Sequence, residues 1–355
     1  MKAIVLILAA VTLAAASDRQ RPPAPPPPPP ETVKPFPKPD FVLRETDAPG
    51  RKGKSRNAGE RGAEYGLDSI AFSGDGKTVA LGTDFGRVDL WDTAARKELR
   101  TLDTHQGATI AALSPNGELL ATGGDEPAYT IVIWETALGK RLKQFKGPAG
   151  TVDDLRFDPS GTRLDVGANG ADNSVFDVFT GQLLAKFPGA RFGRFSLDGS
   201  SLVTAGASRI IIWNTSDWMP VNSVPSGPDY PAAFAAFPEG GLAVVGGPKL
   251  TRVVRLNTGH EVARLGAGLA AFIAFNRDGS LIFAGIDAAI GIWDTNGKQY
   301  CSAPKSSNAI AALSPDDHWL AVAAASQTGV EVWDVQRLLA ACGMARGGAS
   351  GFPSD

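Results

Sequence analysis

Residues 111–124 read AALSPNGELLATGG, and the phrase at their centre, Ser114-Pro115-Asn116-Gly117, returns six more times along the chain in altered form. The variants are SGDG at 73–76, DPSG at 158–161, SLDG at 196–199, FPEG at 237–240, NRDG at 276–279 and SPDD at 314–317. Each suits a tight turn. Proline, where present, fixes φ at a corner, Asp or Asn accepts local hydrogen bonds, and glycine takes the left-handed conformation that other residues resist. Some fifteen residues beyond each turn, a β-branched run ends in a large apolar side chain followed by Asp, Asn or Glu. These pairs are Trp91-Asp92, Trp134-Glu135, Phe176-Asp177, Trp213-Asn214, Leu256-Asn257, Trp293-Asp294 and Trp333-Asp334.

The anchors are spaced by 43, 42, 37, 43, 37 and 40 residues, the period of a four-stranded propeller blade. One such sheet cannot bury both of its faces. Neighbours must stack face to face around an axis, and a closed circle leaves no long edge. The expected fold is therefore all-β: a seven-bladed β-propeller of four-stranded antiparallel blades. Over residues 66–334 the seven registered copies of turn, small-residue strand and aromatic strand resemble the WD-repeat family. That resemblance implies a non-catalytic scaffold that binds a protein or peptide partner.

In that family a Gly-His pair opens the innermost strand, where its imidazole joins Ser or Thr, the core Trp and a loop Asp. Gly259-His260 resembles the pair in letters, yet it follows the Leu256 anchor as Thr180-Gly181 follows Phe176. It therefore belongs to the turn between third and fourth strands. His105, nine residues before Ser114, is the better match and would join Thr122 and Trp134. Of the loop aspartates six residues before an anchor, Asp287 survives. The resemblance is to a degenerate member, held more by strand packing than by repeated polar networks.

One ring would use most of the 355 residues, 43% of them hydrophobic, as a single domain. A formal net charge of −2 argues against nucleic acid as a partner recruited by bulk charge. Lys2, the apolar run Ala3–Leu13 broken only by Thr12, and Ala14-Ala15-Ala16 before Ser17 have the order of a secretory signal peptide. The expected cut falls after Ala16, giving a secreted or periplasmic protein with no membrane span after cleavage. Residues 17–40 read as a proline-rich disordered arm, with eleven prolines between 21 and 39. Residues 41–65 read as a closing strand, Phe41 to Glu45, plus the basic loop RKGKSRNAGER at 51–61. Arg337 to Cys342 competes as closing segment or forms a short helix. Residues 66–342 form the ring, expected to be monomeric, and 343–355 a flexible tail.

Cys301 and Cys342 are the two cysteines, and in an oxidising compartment an even pair raises the chance of a disulfide. Their places on outer rims of adjacent blades leave it open, since a bridge needs residues 336–342 to fold back. With three scattered histidines they do not form a zinc site, and no cofactor is expected.

Five places before the last residue of each turn stand Ala71, Ala112, Arg156, Arg194, Ala235, Ala274 and Ala312. Small residues belong where strands crowd an axis, so two adjacent arginines at that level are the least ordinary feature of the chain. Asp153, Asp154 and Arg191 precede them, and loops of the same rim add Glu126, Tyr129, Tyr230, Lys249 and Arg252. Either these charges pair across the channel wall, or the arginines receive a carboxylate or phosphate in two-pronged fashion. Three functions follow. A non-catalytic scaffold leads; the alternatives are a propeller hydrolase or lactonase using Asp153 or Asp154 with Arg156 and Arg194, and a binder of envelope glycans or small anions.

Overall fold

The computed structural model describes residues 33–44, 66–83, 86–104, 107, 109–124, 129–227, 230–287, 289–303, 310–323 and 329–344. They build seven antiparallel sheets, each made of strands consecutive in sequence except at the ring's closure. The innermost strands, in blade order, are Leu67–Phe72, Thr109–Leu113, Thr151–Phe157, Ala190–Phe195, Ala233–Phe237, Ala270–Phe275 and Ala311–Leu313. Together they wall the central channel.

Burial along a blade follows from the stacking. Second strands are covered on both faces by neighbouring blades and so carry apolar residues in succession: Val79-Ala80, Leu120-Ala121, Leu202-Val203 and Ile282-Phe283 are all fully buried. Outer strands have one wet side, and Lys140–Lys146 is accordingly mostly exposed. The anchors lie on or directly after third strands, and all are buried but Trp213, which is half-buried.

Local chemistry explains the recurring turn. Ser114 Oγ donates to Asn116 Oδ1 (2.8 Å) and accepts from the Leu119 amide (2.9 Å), while Gly117 takes φ +73°. Ser73 with Asp75, Ser196 with Asp198 and Ser314 with Asp316 repeat the bond. Blade five differs, because Phe237 stands where the serine would be. Without that side-chain acceptor the chain forms a 3-10 turn over Pro238–Gly240, and the left-handed residue becomes Gly241 (φ +63°) rather than Gly240.

Among the described residues, two blades show the Trp–Thr pair of the polar network. Trp134 Nε1 donates to Thr122 Oγ1 at 2.9 Å and Trp213 Nε1 to Thr204 Oγ1 at 2.8 Å. His105 lies outside the described residues. His260 is exposed in the turn after the third strand. His318 is half-exposed, its ring tilted 42° against that of Trp319, and lies 3.6 Å from Asp334.

The N-terminal segment buckles the ring. Phe41–Arg44 pairs antiparallel with Gly329–Asp334 as the fourth strand of blade seven. Before that, Lys34–Pro35 lies parallel on the outer strand of blade six, in register with Cys301 and Ser302. This corrects the expectation of a disordered arm through residue 40, because its last part is docked. An edge position tolerates Pro35, which has no amide to give to a ladder. Between the two strands Pro37 accepts from Trp333 Nε1 at 3.0 Å, and Phe36 meets the Trp333 ring edge-on at 5.8 Å.

The helix Val335–Ala341 folds back beneath this segment, capped by Asp334 Oδ1 accepting from the Arg337 amide at 2.9 Å. It carries Cys342 to a disulfide with Cys301, Cα atoms 5.5 Å apart. Asp40, almost enclosed, accepts from the Asp334 amide at 2.7 Å and pairs with Arg337. Asp40→Ala orphans that amide and is expected to lower unfolding free energy by about 1–2 kcal/mol, read by urea denaturation against wild type.

Candidate functional site

The charges singled out in the sequence gather where blades three and four meet the channel. Thr151–Phe157 supplies Asp153, Asp154 and Arg156; Ala190–Phe195 supplies Arg191 and Arg194. Arg191 directs Nε (2.9 Å) and Nη2 (2.5 Å) at Asp153 Oδ2. Asp154 sits between two arginines, joined through Oδ2 to Arg194 Nη1 and through Oδ1 to Arg156 Nε at 3.4 Å. Arg194 is further tied to the Gly193 carbonyl and is mostly buried. Most of the charge is thus spent across the wall.

Arg156 is the exception. Its Nε–Asp154 contact orients the guanidinium, 53% of the side chain meets the channel, and among the described residues its terminal nitrogens have no partner. Burial by the surrounding wall, and then the charge of Arg194, lower its pKa from the ordinary arginine value. Burial likewise raises the Asp153 carboxyl, with Arg191 opposing.

Directly opposite Arg156 on the second strand is Asp165, fully buried. Sequence reasoning missed it. Neither carboxyl oxygen finds a hydrogen-bond partner among the described residues. Burial first, then the charge of Asp154, pushes its pKa up to about 7; Arg194, the nearby Asn173 amide and Arg156 oppose. The signal was present in the register. The residues paired with the innermost set are Ala80, Ala121, Asp165, Val203, Val244, Phe283 and Ala321, six of them apolar. Gly193 makes the room: a Cβ there would stand 2.2 Å from Asp165 Oδ1.

Other rim residues scatter. Tyr230 is half-exposed and 6.0 Å from the Arg191 guanidinium on the loop face of the ring. Tyr129 sits in a turn with φ +57°, its carbonyl accepting from Gly147. Lys249 is exposed between second and third strands of blade five. Arg252 lies on that third strand and donates to the Ser226 carbonyl, so its guanidinium is spent on structure; neither it nor Lys249 lines the channel cavities. Glu126 lies outside the described residues. Ser69, a channel hydroxyl, is used in bonding Thr109 O and the Ala111 amide. Among the described residues no group of three or more His, Cys, Asp or Glu is placed to hold a metal ion, and no helix is long and apolar enough to cross a membrane.

Fold and channel together define a seven-bladed β-propeller with an ionic interface between blades three and four. A family model for the WD domain, G-beta repeat, matches residues 96–134, from the outer strand of blade one to the blade-two anchor Trp134. The chain is similar to Cell division cycle 20.1, cofactor of APC complex, of Arabidopsis thaliana: 32% identical over 110 residues, 31% of this chain and 23% of that protein. It is 24% identical over 252 residues to the B-type cell cycle switch protein ccs52B of Medicago truncatula, covering 64% and 49% of the two chains. With the Periodic tryptophan protein 2 homolog of Dictyostelium discoideum it shares 28% over 130 residues, 35% and 14%. It spans less than half the length of each of these relatives. The repeat match and these partial similarities agree with the seven-bladed ring.

Proposed function

We propose that this protein is an exported, non-catalytic scaffold, a monomeric ring that engages a protein or peptide partner on its loop face around Arg191 and Tyr230. The observation that carries the reading is this pair. A half-exposed tyrosine stands beside an arginine held by Asp153 on a rigid sheet, and Tyr and Arg on fixed supports are the residue types that dominate interface energetics. The cell-cycle relatives described as cofactors of a complex support a binding role. A disulfide across blades six and seven supports an oxidising compartment, as does the leader-like N-terminus. On this reading the mature chain starts at Ser17, its proline-rich residues precede the docked segment, and the ring ends at 342 before a short tail.

Affinity enrichment of secreted or periplasmic material on the immobilised mature protein tests it. A stoichiometric protein partner, lost with Tyr230→Ala, is the expected result. Recovery of polymers or small molecules alone, or capture indifferent to Tyr230, would overturn it. Mass spectrometry of the purified N-terminus checks export: an intact Met1 contradicts cleavage.

A further inference from the structure

The second residue of most turn phrases does more than shape a turn. Pro115, Pro159, Leu197, Arg277 and Pro315 surround the mouth of the channel on the face opposite Tyr230, above a cavity of about 430 Å³. Leu197 is 57% exposed, and Pro159 and Pro315 are exposed as well. Turn-to-turn bonds hold this rim: the Gly74 amide donates to Pro115 O (2.9 Å), the Leu197 amide to Glu239 Oε1 (2.6 Å) and the Arg277 amide to Asp317 Oδ1 (2.9 Å). A rim fixed in advance loses little freedom when something enters.

At the inner end of this mouth stands the Arg156 guanidinium, its terminal nitrogens without a partner among the described residues, beside Ala71, Ala112 and Ala312, whose small side chains leave the space that Arg156 enters. Two cations, Arg156 and Arg194, face one anion, Asp154. Asp165 behind them is kept from full ionisation near neutrality by burial. These inner groups leave one net positive charge, and Arg277 adds a further cation at the rim. The inner charge calls for an anionic group, and the proline and leucine part of the mouth favours an anion on a hydrocarbon body. An Arg fork gives a carboxylate two parallel hydrogen bonds.

We propose that the turn-face half of the channel is a carboxylate site, in which Arg156 receives the free C-terminus of an apolar partner segment. This rests on the scaffold reading for the nature of its ligand, but uses the opposite mouth of the ring. Arg156 supplies the charge, Asp154 positions it, and the proline and leucine rim covers the apolar residue that carries the carboxylate.

The probe is a short alanine peptide ending in leucine, labelled at its N-terminus with an uncharged fluorophore, made as the free acid and as the C-terminal amide. Fluorescence anisotropy with the full mature chain should show the free acid binding at least about tenfold more tightly than the amide, the difference expected for a paired carboxylate. Arg156→Gln should abolish that preference. Ala312→Leu, which fills the cavity without touching a charge, should weaken the free acid while the fold, checked by circular dichroism, is retained. Equal affinities for acid and amide, or no binding of either, overturn the site. In both cases Tyr230-dependent capture on the other face still decides the scaffold reading separately.

Discussion

Asp165→Asn is expected to stabilise the protein at pH 8 and to change little at pH 4. In the folded ring the carboxyl keeps its proton up to about pH 7, against 3.8 for the ordinary group. The unfolded chain therefore releases a proton between these values that the native chain retains. Proton binding favours the native state, so this group's contribution is fully present below about pH 4, falls as pH rises, and has become a penalty by pH 7. Over some three pH units the cost is on the order of 4 kcal/mol. Asparagine keeps the shape of the protonated acid and cannot ionise. Urea denaturation of both proteins from pH 4 to 8 isolates the residue, because the shifted Asp153 is common to both. The unfolding free-energy difference should grow with pH above about 4 and level off above about 7, at about 4 kcal/mol in favour of the variant. A constant difference, or a variant weaker at pH 8, would contradict the placement of Asp165 in an apolar blade interface.

The second large effect is expected at the closure. Replacing Cys301 and Cys342 together by Ala removes a link closing a loop of 41 residues, worth about 3–4 kcal/mol by chain entropy. Both side chains are buried, so alanine is preferred to serine, which would bury hydroxyls. Loss should not be uniform. Cys301 backs Lys34–Pro35 and the helix that carries Cys342 backs Phe36 and Trp333, so hydrogen exchange of residues 33–44 should accelerate first, before blades two to five. A reduced wild-type chain unfolding at the same urea concentration as the oxidised one would contradict the role given to the bridge.

The ring was legible because its determinants are local and repeated. Ser114, Asn116 and Gly117 make their turn from their own atoms, and each anchor is marked by the β-branched run before it. What lay outside that repetition was harder to see. Pro35 marks the segment before residue 40 as irregular, and nothing in its own letters says that the edge of blade six awaits it. The disulfide depended on whether Arg337 to Cys342 turned back, a tertiary matter settled by the cap at Asp334 and by Leu338 packing under the sheet.

The candidate site divides in the same way. Arg156, Arg194, Asp153, Asp154 and Arg191 stood out because innermost strands obey a strict register, and the structure brings all five together. Lys249 and Arg252 did not follow, since the period says nothing of where a long side chain beyond the inner strand will reach; Arg252 turns to the Ser226 carbonyl. Asp165 was hidden only by comparing first strands and not second ones. Gly193 is its counterpart: inner strands carry Ile70, Ala111, Leu155, Phe234, Ile273 and Ala311 at its level, and a glycine there makes sense once a carboxyl must fit beneath it.

The interface of blades three and four departs from apolar stacking through its ion pairs, and Asp165 is the residue on which that claim turns. Its side-chain carboxyl carbon, assigned by comparison with Asp165→Asn, should titrate in a carbon-detected NMR series with a midpoint near 7. A midpoint near the ordinary 3.8 would mean that water reaches the group and that the charged node described here does not exist.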